Sequence, residues 1–215
     1  MGAGFPHSVD ATVIVPPRYC GSIDYYALLA LYTRHCVACD MPFNKRQKDV
    51  HRTAIADTRG TLRLTVPVAK PDTTSGTRWS DIRVSTHGEW WGPQLIALES
   101  AYGRTPFFEF YVDRFKPFFE PRTPDGCETI TDLDMALHCV ILDILGLPQP
   151  VVSAGPDAVD YTAGAIPEFA IVPYDQVRAG TLGFIPRLSV FDLIFNMGPE
   201  APLVLKQMQN LTYTI

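Results

Sequence analysis

The feature that most constrains the fold of this chain is one long apolar stripe at helical spacing. Six apolar residues recur there every few positions: Leu133, Leu137, Val140, Ile141, Ile144 and Leu145. This spacing places all of them on one face of an α-helix, and that face must pack against other elements to leave water. Thr131 or Asp132 can cap the start of the helix, and Gly146 can end it. The chain therefore packs at least one amphipathic helix onto a core.

The rest of the chain carries shorter strand and helix patterns. A β-branched run at 12–15 ends at two prolines, and a helix capped by Ser22 is predicted to extend to Thr33. The turn composition of 57–60 predicts an antiparallel hairpin between the strands on either side. The remaining strands are predicted at 55–57, 62–68, 82–85 and 171–173, and the remaining helices at 89–102, 107–119 and 188–195.

These patterns predict a mixed α/β (α+β-like) fold with a central, largely antiparallel sheet flanked by helices. A length of 215 residues suits one core, so we expect a single domain over 1–215 with a flexible N-terminus at 1–10. Residues 148–164 are rich in Pro, Gly, Ala and Asp, which predicts a long surface connection.

Composition and charge exclude several classes of function. The formal net charge of −5 argues against a nucleic-acid partner, because such proteins carry a basic excess. No apolar run approaches the roughly 20 residues of a membrane-spanning helix. Residues 1–10 show no basic segment followed by an apolar one, the pattern of a signal peptide. The five cysteines are odd in number and lack the regular spacing of a disulfide framework. We therefore expect a cytoplasmic protein with free thiols.

Motifs of the common enzyme classes are missing. The chain has no GxSxG, P-loop, GxGxxG or HExxH sequence. Cys36 and Cys39 form a CxxC, but no second pair completes a zinc site, so two buried strand cysteines are the simpler interpretation. Cys20 precedes a predicted helix whose dipole could lower its pKa, yet no spacing identifies a histidine base for it. We predict neither a metal nor a cofactor.

The densest polar stretch, residues 44–52, offers a candidate anion site. Arg46, Lys48 and Arg52 stand at even offsets, so in an extended segment they would share one face and could receive a phosphate or a carboxylate. A solvated charge run is the competing interpretation. Trp90 and Tyr102 can either fill the core or form a stacking platform, and core filling is favoured.

Several segments, taken in order, resemble the WbqC-like family. They are the proline-bounded first strand and tyrosine-rich helix (16–31), His51-Arg52 through Ile55 before Gly60, the strand at 62–67, Trp90, Ala101-Tyr102, Thr105-Pro106-Phe107-Phe108 and the helix ending Leu145-Gly146-Leu147. The resemblance spans most of the chain. It implies a cytoplasmic role in surface-polysaccharide (O-antigen-type) or related biosynthesis, with acyl or aminoacyl transfer to an amine as the suspected reaction.

Site residues follow from the family pattern position by position. The resemblance assigns the catalytic role to His51 and substrate binding to Arg46, Arg52, Trp90, Gln94 and Tyr102. This chain departs from the family at His51, where an Asn is common, and at Gln94, where a His is common. An amide at 94 can hydrogen-bond but cannot titrate. The Gln-Pro motif of many members is also missing, and two prolines stand nearby.

Three functional hypotheses therefore stand side by side. The first is a transferase that binds an anionic or sugar-bearing small molecule between the segment 46–52 and the helix at 90–102. The second is a non-catalytic binding or scaffold module that brings other biosynthetic enzymes together, favoured by the departure at Gln94. The third, a metal- or thiol-dependent enzyme, would use Cys36 and Cys39.

Overall fold

The computed structural model describes residues 9–120 and 127–212. The strands are β1 (Val9–Val15), β2 (Tyr32–Val37), β3 (Arg52–Asp57), β4 (Gly60–Thr65) and β5 (Val159–Asp160). The helices are α1 (Ile23–Leu29), α2 (Trp91–Tyr102), α3 (Phe108–Phe115), α4 (Ile130–Leu145), α5 (Ala179–Leu182), α6 (Val190–Met197) and α7 (Ala201–Thr212). A flexible N-terminus was predicted for residues 1–10. Residues 1–8 lie outside the described residues, whereas residues 9 and 10 belong to β1.

The larger sheet is parallel, so the prediction of a largely antiparallel central sheet was wrong. β1 lies between β2 and β5 and pairs in parallel with both. The reason is the short helix α1, which ends at Leu29 and returns the chain to β2 at Tyr32, making a β–α–β crossover. The helix was predicted to extend to Thr33, which includes the first residues of β2, and β2 was therefore not predicted. The third strand, β5, comes from the segment 148–164 that was predicted to be only a connection.

The hairpin prediction was confirmed. β3 and β4 pair antiparallel with Ile55 opposite Leu62, and Gly60 closes the turn at φ 118°. The pair forms a separate two-stranded sheet. The strands predicted at 82–85 and 171–173 did not form: Val84 makes only an isolated bridge to Val68, and 171–173 has no regular structure.

The long helix α4 was also confirmed, with its cap two residues earlier than expected. Thr129 accepts a hydrogen bond from the backbone N–H of Asp132, whose carboxylate accepts from the Thr129 N–H in return, forming a capping box. Gly146 ends the helix in the left-handed conformation at φ 64°. The apolar stripe faces the core, and Leu133 and Ile141 are fully buried. Each such side chain contributes roughly 1.5–3 kcal/mol to stability.

The C-terminal region contains two helices where one was predicted. α6 covers the expected segment and ends at Gly198, whose φ of 50° breaks the helix. After Gly198-Pro199 the chain turns into α7, which packs on α1. An added Cβ at Gly198 would lie 2.5 Å from the Phe107 ring, so glycine is required there for space as well as for conformation.

A pair of histidines is buried beneath the parallel sheet. Nε2 of His35 lies 3.0 Å from Nε2 of His138, and the Tyr26 hydroxyl lies 3.2 Å from Nδ1 of His138. Burial lowers the pKa of His35 to about 4 and that of His138 to about 3. His138 is thus a buried residue of the core.

Within the described residues, every helix is too short or too polar to cross a lipid bilayer.

Candidate functional site: a basic cavity

A cavity of about 620 Å³ opens where three parts of the chain meet. One wall is the loop and start of α1 at 18–25. The second is the segment 46–54 together with Arg63 of β4, and the third is formed by 165–168 with Arg187 and Ser189. The volume falls within the range of about 300–1,000 Å³ that small-molecule sites occupy.

The backbone around Cys20 holds the three walls together. The Cys20 carbonyl accepts hydrogen bonds from Thr53 Oγ1 and from Ser189 Oγ, each at 2.8 Å. The Ser189 N–H donates to the Ala54 carbonyl at 2.7 Å. Cys20 itself has φ 43°, a conformation that costs a non-glycine residue about 1 kcal/mol or more. The surrounding hydrogen bonds therefore maintain a strained turn at the edge of the cavity.

The lining is strongly basic. Six cationic and three acidic side chains face the cavity, a net charge of +3 in a chain whose formal net charge is −5. The cations are Arg18, Arg46, Lys48, Arg52, Arg63 and Arg187, and the acids are Asp24, Asp49 and Glu168. Concentrating one sign of charge in a concave site raises the local concentration of ligands of the opposite sign.

All three acids already have partners. Arg18 pairs with Asp49 at 2.6 Å, and Arg187 pairs with Asp24 at 2.6 Å and with Glu168 at 3.1 Å. Asp24 is almost fully buried, and its Oδ1 also accepts from the backbone N–H of residue 169. Arg187 has φ 60°, which makes it a second strained residue at the cavity.

The other four cations of the lining are Arg46, Lys48, Arg52 and Arg63. Within the described residues, none of them forms an ion pair. The Nε of Arg52 is buried and has no hydrogen-bond partner among residues 9–120 and 127–212. A buried donor without an acceptor is costly.

Arg46, Lys48 and Arg52, which the sequence placed on one face, all line the cavity. The prediction assumed that this segment is extended, but Lys48–Val50 forms a 3-10 turn. The turn and the start of β3 bring the three side chains to the same wall.

His51 lies between these cations but is not a lining residue. Its Nδ1 is 3.1 Å from the Val66 carbonyl, and its ring centroid is 6.3 Å from that of Trp79. A carbonyl can only accept, so Nδ1 carries the proton and Nε2 keeps its lone pair. Partial burial lowers the pKa of His51, and the charges of Arg52 and Lys48 lower it further. The imidazole is thus neutral at pH 7.

Trp90, Gln94 and Tyr102 lie in the core, and none of them lines this cavity. Gln94 accepts from the Tyr19 hydroxyl at 2.7 Å and donates to the Thr65 carbonyl at 2.8 Å. The Tyr102 hydroxyl accepts from the Ala56 N–H at 3.2 Å. The buried indole N–H of Trp90 has no partner among the described residues. Gln94 and Tyr102 thus tie α2 to the hairpin that carries Arg52 and Arg63, and their predicted role in binding stays a prediction.

The cysteines are poorly suited to nucleophilic chemistry. All five are free thiols. Burial raises the pKa of Cys20 well above its usual value, so desolvation outweighs the predicted effect of the helix dipole. Burial likewise raises the pKa of Cys39 to about 12. No cluster of three potential metal ligands occurs in 9–120 or 127–212.

Sequence reasoning missed three of the six cations of the lining, namely Arg18, Arg63 and Arg187. Exposed and more buried residues alternate along β4, and Arg63 is one of the exposed ones. The two-residue period of a strand could therefore have predicted that Arg63 lies on the outer face of the hairpin. Arg18 directly follows the two prolines that end β1, a position where parallel sheets often bind ligands. Nothing in the sequence near Arg187 or Glu168 points to a site, because they reach the cavity only through tertiary folding.

The comparison with protein families covers the cationic walls. The model of the WbqC-like protein family matches residues 17–160, which include the five cations from Arg18 to Arg63. The third wall, at 165–168 with Arg187 and Ser189, lies beyond the matched region. Neither the curated proteins nor the solved structures gave a significant match. The match covers well over half of the chain, and the chain therefore belongs to the WbqC-like protein family.

Proposed function

We propose that this protein binds an anionic small molecule in the basic cavity and acts as a transferase of surface-polysaccharide or related biosynthesis in the cytoplasm. The observation that carries the proposal is the set of four cations, Arg46, Lys48, Arg52 and Arg63, that face a ligand-sized cavity without ion-pair partners in the described chain. Family membership supports the biosynthetic context. Acyl or aminoacyl transfer to an amine is the reaction that the resemblance implies.

The cations would perform two tasks in such a reaction. Arg46 and Arg52 hold the anionic part of the substrate, because a guanidinium binds phosphate or carboxylate through two parallel hydrogen bonds. A cation close to the reacting carbonyl also stabilises the oxyanion of the tetrahedral intermediate.

The resemblance alone assigns the role of general base to His51, because its ring does not line the cavity. An ammonium group must lose a proton before its nitrogen attacks a carbonyl, and the Nε2 of a neutral imidazole can accept that proton. The lowered pKa of His51 keeps this nitrogen unprotonated at pH 7. Gln94 and Tyr102 would contribute by holding the hairpin against α2.

A thermal-shift screen tests the proposal, since a ligand that binds only the folded state raises the melting temperature. The compounds are nucleotide sugars, acyl and aminoacyl donors, and simple anions. We expect a stabilising ligand whose affinity falls about tenfold or more in Arg52→Ala, the loss of one charged hydrogen-bonding partner. Arg59→Ala is the matched control, because Arg59 lies exposed in the turn of the same hairpin and outside the cavity.

Unchanged affinity in Arg52→Ala would refute binding in the basic cavity. A screen without any stabilising compound would instead favour the scaffold hypothesis, and pull-down of partner proteins would follow.

A further inference from the structure

The cationic side chains of the hairpin stand at a spacing that suits two neighbouring anionic groups. In the register of β3 and β4, Arg52 lies opposite Thr65 and Ala54 lies opposite Arg63. Arg52 and Arg63 are therefore diagonal neighbours on one face, a relation that separates their backbone positions by about 7–8 Å. Both side chains line the cavity. Like charges so placed repel each other, and within the described residues no carboxylate pairs with either one.

Two further cations approach the same space from the preceding segment. Arg46 and Lys48 both line the cavity. Lys48 is the first residue of the 3-10 turn Lys48–Val50, and Arg46 lies two positions before it. Three of the four cations without partners are arginines, whose planar forks match phosphate oxygens in pairs. A single carboxylate can engage only one or two such forks, whereas two linked phosphates can engage all of them.

The total charge leads to the same ligand class. With all nine charged side chains counted, the cavity carries a net charge of +3. A monocarboxylate would leave most of this charge uncompensated, whereas a diphosphate ester carries about two to three negative charges near pH 7. The volume of about 620 Å³ also leaves room for a group attached to the diphosphate. Ile166 and Pro167 also line the cavity and offer apolar contacts to such a group.

We propose that the cavity recognises a diphosphate group, held across the hairpin by Arg52 and Arg63 and from the side by Arg46 and Lys48. This inference rests on the proposed function and narrows its ligand from any anion to a diphosphate-bearing small molecule. Nucleotide-linked and isoprenyl-linked sugars both contain this chemistry.

Isothermal titration calorimetry with inorganic pyrophosphate, orthophosphate and acetate, in EDTA and at constant ionic strength, tests the inference. We expect pyrophosphate to bind at least about tenfold more tightly than orthophosphate. Arg63→Gln should weaken pyrophosphate binding about tenfold, the effect of removing one charged contact, and should weaken orthophosphate binding less. Arg63 is exposed, so the variant should keep the wild-type melting temperature. Arg59→Gln, a change of equal charge in the same hairpin, should leave both affinities unchanged.

The outcomes separate this inference from the broader proposal. Equal affinities for pyrophosphate and orthophosphate, with loss of both in Arg52→Ala, would overturn the diphosphate inference and leave the anion site standing. If no anion bound to the wild-type protein, both would fail. Titration with uridine diphosphate and with geranyl diphosphate then separates the two sources, since the tighter ligand identifies the group attached to the diphosphate.

Discussion

The buried histidine pair makes the stability of this protein depend on pH in a way that can be worked out in advance. The distance of 3.0 Å between the Nε2 atoms of His35 and His138 requires one proton between them. The Tyr26 hydroxyl can donate to Nδ1 of His138, in which case Nε2 of His138 donates to Nε2 of His35. Protonation of His138 keeps both contacts, because Nε2 can donate to His35 and Nδ1 to the Tyr26 hydroxyl oxygen, so its main cost is the burial of a charge.

The sign follows from the two pKa values of His138. Burial lowers its folded pKa to about 3, whereas the unfolded pKa is about 6.5. Below pH 6.5 the unfolded state therefore takes up a proton that the folded state does not, and stability falls as the pH falls. Between pH 7 and pH 5 this linkage amounts to about 2 kcal/mol for His138 alone.

Urea unfolding of the wild type and of His138→Gln at pH 7 and pH 5 measures this contribution. The wild type should lose about 2 kcal/mol more between the two pH values than the variant does. Comparing the two proteins is essential because the buried carboxyl of Asp134, whose pKa is raised by burial, contributes with the opposite sign in both. His87→Gln, at an exposed position, should follow the wild type. Parallel curves for the wild type and His138→Gln would refute the reasoning.

Three other substitutions test the cavity and its supports. Asp49→Asn should strengthen anion binding several-fold in calorimetry, because it removes a carboxylate from the cavity and releases Arg18 from its ion pair; weaker binding would contradict this. Ser189→Ala should lower the free energy of unfolding by about 1–2 kcal/mol, because the Cys20 carbonyl loses one of two side-chain donors; urea unfolding measures it, and no change would show that the contact is dispensable. Gly198→Ala should cost at least about 1 kcal/mol and lower the melting temperature by several degrees, because φ is positive and a phenylalanine ring occupies the space of the new Cβ; an unchanged melting temperature would show that the neighbouring ring can move away.

The family model matches only part of the cavity lining. The cations without partners all lie in the region that matches the family, and the wall of 165–168 with Arg187 and Ser189 lies outside it. The proposed anion site would thus lie in the part of the chain that the family model matches. The unmatched wall contains Arg187, which pairs with the buried Asp24.

Local sequence was sufficient for the elements whose determinants lie close together in the chain. The stripe from Leu133 to Leu145 and the stop at Gly146 defined α4, because helix formation depends on contacts three and four residues apart. The turn ending at Gly60 defined the hairpin for the same reason. The charges of Arg46, Lys48 and Arg52 predicted an anion site, and these side chains do line one cavity, although through a 3-10 turn and not through the extended segment that was assumed.

Tertiary structure decided the rest, because those features depend on contacts between distant residues. The pairing of β1 with β5 joins residues more than a hundred positions apart, and neither strand pattern specifies whether its partner is parallel. The cavity forms where Ser189 hydrogen-bonds to the turn at Cys20 and Arg187 pairs with Asp24, contacts that join residues far apart in the chain. The sequence by itself thus determined where a helix or hairpin could form and which segment was basic. Only the fold decided that this segment would face a cavity, since long-range hydrogen bonds and burial have no local signature.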